Sequence, residues 1–110
     1  MQRALHDEET ILVPEVVYRE VLQGAASVAH FIELQELLDG MEHYTSADPL
    51  QLARNASLLY ARCRWQGFTV RSPNDCLVAA CAIEADEPLL ARDRDFGHIA
   101  HIEPKLKLIP

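Results

Sequence analysis

The chain has 110 residues, enough for one domain with a single modest core. Hydrophobic residues make up 49% of it and charged residues 25%, with four Gly, six Pro and no low-complexity segment, which argues against disorder. A formal net charge of −7 lacks the basic footprint by which most nucleic-acid binders neutralise phosphates, so a chain of this balance that handles RNA needs a bound metal, a basic partner or a local patch.

No apolar run approaches the ~20 residues of a membrane span. The opening MQRALHDEET has neither the basic flank nor the apolar stretch of a signal peptide. A cytoplasmic chain without membrane contact is expected. Cys63, Cys76 and Cys81 form an odd set without metal-site spacing and read as reduced core thiols.

In chain order, Thr10 to Val13 is a short β-branched apolar run and predicts a buried strand. Pro14 and Glu15 suit the first turn of a helix, Val17 and Val21 recur at i, i+4, and Gly24 is a stop signal. A second helix is expected over about Ser27 to Leu38, with Phe31, Leu34 and Leu38 on one stripe and Gly40 ending it. Met41 to Thr45 reads as a strand. Behind Ser46-Ala47-Asp48-Pro49 a helix carries Leu52, Ala56, Leu59 and Cys63 along one face, and Gly67 stops it. Trp65 and Phe68, flanking that stop, are expected in the core; Phe68 to Val70 reads as a short extended piece.

Ser72-Pro73-Asn74-Asp75 opens another helix, whose body from Cys76 to Ile83 is apolar on every side and so belongs in the middle of a domain. Pro88 to Ala91 predicts a buried strand, Arg92 to Phe96 a loop or turn, and Leu106 to Ile109 a last strand. Strands alternating with helices imply a single α/β domain over residues 1–110, with a mainly parallel sheet, because parallel neighbours need crossover helices.

Four acids sit in unusual places. Glu20 borders the apolar face of its helix, three residues after Val17 and four after Val16. Asp75 lies at the start of the all-apolar helix, and Asp93 and Asp95 follow a strand, where ligands bind in open parallel sheets. Each has a bland alternative: an amphipathic border for Glu20, a capping box with Ser72 for Asp75, and turn formation among Arg92 and Arg94 for the last two. Taken together they point elsewhere. Converging carboxylates repel one another and need a cation, and oxygen-only ligands select Mg²⁺ or Mn²⁺. Such an ion can acidify a water and stabilise charge on a phosphodiester. His98 and His101, three apart, lack zinc-site spacing and read as surface residues. Arg62, Arg64, Arg71, Arg92 and Arg94 are solvated charges or phosphate contacts.

These stretches resemble the motifs of PIN domains. Val16-Val-Tyr-Arg-Glu20-Val-Leu-Gln-Gly24 is similar to the family's second motif, where a helix after a strand presents a Glu. Gly67-Phe-Thr-Val-Arg-Ser-Pro-Asn-Asp75-Cys-Leu-Val-Ala-Ala80 looks like the third, and Leu89-Leu-Ala-Arg-Asp93-Arg-Asp95-Phe96 is similar to the D-x-D-F signature that closes the site. The segment Arg64-Trp-Gln-Gly67 also fits VapC-type toxins, and the matches span most of the chain from Thr10 onward.

The resemblance implies a three-layer α/β/α sandwich and a metal-dependent endoribonuclease, the toxin half of a toxin–antitoxin pair, dimeric and inhibited by an antitoxin. By that carry-over Glu20, Asp75 and Asp93 bind metal and serve catalysis, with Asp95 as a supporting ligand. Asn74 orients Asp75 or touches substrate, and Arg92 and Arg94 hold RNA. One departure stands out. The family begins with an apolar strand ending in Asp, whereas this chain begins Met1-Gln-Arg-Ala-Leu, which reads as the tail of a helix before Thr10, with Asp7, Glu8 and Glu9 in a turn. The expectation is therefore a shortened form with its first strand missing and two buried strands unpartnered, closed by strand exchange with a second copy. The rival function is a catalytically inactive PIN-like module acting in dimerisation or antitoxin binding.

Overall fold

The structure, a computed structural model, describes residues 4–6, 11–91 and 93–109. Their elements run β1 (Ala4–His6), β2 (Ile11–Pro14), α1 (Glu15–Gln23), α2 (Val28–Asp39), β3 (Glu42–Tyr44), α3 (Pro49–Trp65), α4 (Pro73–Ala85), β4 (Leu89–Leu90), α5 (Arg94–Ile102) and β5 (Leu108–Ile109). The strands form a sheet in the order β3-β2-β1-β4-β5. β2 runs parallel to β3 and β4 parallel to β5, while β1 is antiparallel to both β2 and β4. Four strands therefore share one direction and only β1 opposes them, so the mainly parallel α/β fold forms as expected.

The centre of the sheet departs from expectation. Ala4–His6 is not a helical tail: it is a strand, with Leu5 opposite both Leu12 and Leu89. The chain's own N-terminal segment thus pairs the two strands that were expected to lack a partner. A parallel first strand of the family type is absent among the described residues. Asp7, Glu8 and Glu9 lie outside them.

The core collects the faces the sequence marks. Leu52, Ala56, Leu59 and Cys63 of α3 are buried against α4, whose Cys76, Val78, Ala79, Ala80, Cys81 and Ala82 are all buried. Two expectations fail at its edge. Phe31 is exposed together with Val28 and Ile32, so α2 buries only Leu38 fully. Trp65 is not a core residue either; it is 68% exposed. Helix geometry explains this, since a residue two beyond Cys63 lies about 200° round from the buried stripe.

The segment read as a loop after β4 is largely helical. α5 starts at Arg94 because Phe96 and Ile99, spaced i, i+3, both reach zero exposure against the core. Gly97 and two histidines inside the helix mask that pattern. No helix among the described residues is long and apolar enough to cross a membrane.

Candidate acidic site

Two helix starts build the site. Ser72, in extended conformation, precedes Pro73 at the first turn of α4, and its carbonyl accepts from the Asp75 N–H at 3.0 Å. The Ser72 side chain makes no capping bond, so the serine half of the capping box does not form. Asp75 is 2% exposed, in a turn whose free N–H groups favour a carboxylate. At the second start Asp93 occupies the N-cap of α5, and it too makes no side-chain capping bond; its carbonyl accepts from Phe96 and Gly97 instead. Asp93 is exposed, whereas Asp95, in the first turn, is 3% exposed.

Arg71 ties these starts together. Its backbone N–H and its Nε both donate to Asp95 Oδ2 at 3.1 Å, and an Nη lies 3.7 Å from Asp93 Oδ1. Burial alone would push the Asp95 carboxyl up. The two hydrogen bonds and the charge of Arg71, aided by His98, outweigh burial and hold it below the ordinary carboxylate value. The guanidinium is in turn held more firmly charged, by its hydrogen bond to Asp95 and that carboxylate's charge, with Asp93 and Asp75 adding their fields. Asp75, Asp93 and Asp95 therefore act on one cation. Two of them, Asp75 and Asp95, also act on Cys76, whose thiol is pushed up to about 12 by burial, by Cys63 and by those two charges. Cys63, Cys76 and Cys81 are all free and buried, and burial, the largest cause in each, raises every one, so they are inert core thiols as expected.

The other candidates are placed less closely. Glu20 is half-buried on α1, which packs against α4, the helix that Asp75 opens. Asn74 is half-buried beside Asp75, and Arg94 is exposed at the first position of α5. Arg92 lies outside the described residues. The donors suit a hard divalent ion in kind, being carboxylate oxygens without thiol or imidazole. Their present arrangement is not a cage: among the described residues no group of three His, Cys, Asp or Glu side chains is placed to hold a metal, and Arg71 takes the place of the cation.

Sequence reasoning missed the pairing of Arg71, which was one arginine in a cluster. The available signal is a cation four residues before Asp75, on the motif that carries it. The histidines also differ from plain surface residues. His98 stacks on Phe68 at 4.6 Å and 15°, with Nδ1 buried and without a hydrogen-bond partner among the described residues, and His101 meets the same ring edge-on at 5.7 Å.

The PIN domain family matches residues 1–102. The VapC ribonuclease Mb1587 of Mycobacterium bovis is 36% identical over 103 residues, covering 93% of this chain and 76% of that protein. Ribonuclease VapC11 of Mycobacterium tuberculosis gives the same identity and coverage. With a family match over nearly its whole length, and acids at the starts of α4 and α5 drawn onto one cation, the chain belongs to the PIN domain family.

Proposed function

We propose that this chain is an endoribonuclease of the VapC toxin type that works with Mg²⁺ or Mn²⁺. The carrying observation is the convergence of Asp75, Asp93 and Asp95 on Arg71: three carboxylates from two helix starts already require a positive charge. The relatives that are themselves ribonucleases support the same reading. Asp75 and Asp93, with Glu20 from the adjoining helix, would hold the ion, and Asp95 would support it. Bound there, a divalent cation supplies acidification of a water and stabilisation of charge on the phosphodiester. Asn74 orients the Asp75 carboxylate, while Arg92 and Arg94 hold the RNA backbone. The setting is cytoplasmic, with an antitoxin protein as inhibitor and a homodimer as the working form. Strand exchange in that dimer would put a partner's N-terminal segment where Ala4–His6 now pairs.

The test is cleavage of single-stranded RNA by this chain with Mn²⁺ and with EDTA, beside Asp93→Asn. Metal-dependent cleavage lost in the variant is expected. The seat that Arg71 takes among these acids favours a second reading, a catalytically inactive PIN-like module for dimerisation or antitoxin binding. No cleavage under any metal condition leaves that reading alone.

A further inference from the structure

We infer that Trp65 and the cavity beside it form a stacking subsite for one base of a single-stranded RNA; this rests on RNA being the ligand, as in the reading above. Trp65 is the chain's single tryptophan, and it ends α3 with 68% of its surface exposed. Isolated exposed apolar side chains are ordinary. What sets this one apart is its surroundings. A cavity of about 260 Å³ is lined by Arg62, Trp65, Gln66, His101 and Ile102.

Its walls are fixed. Arg62 donates to the Ile102 carbonyl at 2.7 Å and to Glu103 at 3.2 Å, which clamps α3 to the end of α5. Behind Trp65 the chain turns tightly: the Gly67 N–H bonds the Arg64 carbonyl and the Phe68 N–H the Cys63 carbonyl, with Gly67 at φ +85°. Phe68 then braces His101 edge-on. The result is a flat indole beside an amide that both donates and accepts (Gln66) and a ring nitrogen (His101). A flat heteroaromatic ring with a hydrogen-bonding rim matches that lining; an apolar protein side chain does not, since three of the five lining residues are polar or charged. Arg64, exposed on the same turn, is available to a phosphate.

The location suits a strand that also reaches the acids. Asp95 lies in the first turn of α5 and His101 six residues on, about 9 Å along the helix axis. Six residues also turn about 240°, so a strand that passes round α5 as well as along it brings a base to Trp65 and a phosphate to the exposed Asp93.

Titrating the chain with short unlabelled single-stranded RNA in EDTA, and following Trp65 emission, tests the subsite. Saturable quenching is expected, with Trp65→Ala binding about tenfold more weakly by sedimentation, within the range of base–aromatic stacking, and Trp65→Phe keeping most of the affinity. Undiminished binding by Trp65→Ala with unmoved wild-type emission overturns the proposal. So does loss of self-association in Trp65→Ala with RNA affinity intact, which would make Trp65 a protein contact. RNA binding by neither protein overturns the subsite, and cleavage in the separate Mn²⁺ assay then decides the nuclease reading. Quenching in EDTA, with no cleavage once Mn²⁺ is supplied, supports the subsite and removes only the nuclease reading.

Discussion

Arg71 and Asp95, 24 residues apart in the chain, are joined twice at one atom: the backbone N–H and the Nε of the arginine both donate to Oδ2 of the aspartate at 3.1 Å. The contact locks the loop before α4 onto the first turn of α5 and places a fixed cation among three acids. Its pH dependence follows from the direction of the Asp95 shift. A carboxyl depressed in the folded state adds stability above its unfolded pKa, about 3.9, and that contribution is lost as pH falls through the folded value. In Arg71→Ala, burial is left opposed only by the backbone N–H and His98, so Asp95 should titrate at or above the ordinary value. Carboxyl NMR titration of both proteins checks this; an unmoved Asp95 would mean that the guanidinium does not set its ionisation.

The same guanidinium should compete with a metal. Mg²⁺ or Mn²⁺ entering among Asp75, Asp93 and Asp95 must displace a cation that already interacts with all three. Removing it should therefore tighten Mn²⁺ binding to Arg71→Ala by several-fold in calorimetry at low salt. Weaker binding would show instead that Arg71 holds the carboxylates in a metal-ready pose.

Two helix ends make opposite stability predictions. Gly67 closes α3 at φ +85°, where a Cβ meets nothing within 4 Å, so the cost of Gly67→Ala is purely conformational, about 1 kcal/mol. Asp86 closes α4 at φ 54° without being glycine, and its ion pair with Lys107 is long, at 3.9 Å, and exposed. Asp86→Gly should thus gain roughly 0.5 kcal/mol. Denaturant midpoints read both; equal signs would contradict the left-handed assignments.

β1 makes a sharper case. Leu5 stands between Leu12 and Leu89 at the centre of the sheet, where each backbone group has a neighbour. Leu5→Pro removes an N–H from that ladder and should cost about 1–3 kcal/mol, lowering the melting temperature by several degrees. No change would mean that the segment does not pair there in solution.

The periodic features were legible before the structure. The buried stripe of α3 and the all-round apolar α4 follow directly from residue spacing, and so does the placing of Asp93 and Asp95 just past β4. What escaped had no periodic signal or was held by distant partners. Three residues, Ala4–His6, are too few to show alternation, and their strand state exists only because β2 and β4 flank them. α5 hid behind Gly97. The Arg71–Asp95 pair depends on tertiary closeness that no local pattern encodes. The hydrophobicity of Trp65 alone points to the core, whereas its spacing from Cys63 turns it outward.

Asp75 decides between chemistry and helix initiation. It is almost fully buried, and Ser72 does not cap the helix with its side chain, so the serine half of a capping box gives no account of it. Asp75→Asn keeps the shape and removes the charge. If the carboxylate serves the proposed reaction, RNA cleavage with Mn²⁺ should fall at least about a hundredfold, an effect of ~2.7 kcal/mol on the barrier. Stability at neutral pH should meanwhile hold or rise, because a buried negative charge beside Asp93 and Asp95 is gone. If it only starts α4, cleavage should persist while stability drops by about 0.3–1 kcal/mol, the value of an acid at a helix N-terminus. Measuring cleavage and denaturant midpoint on the same preparation separates the two, since each role moves a different quantity.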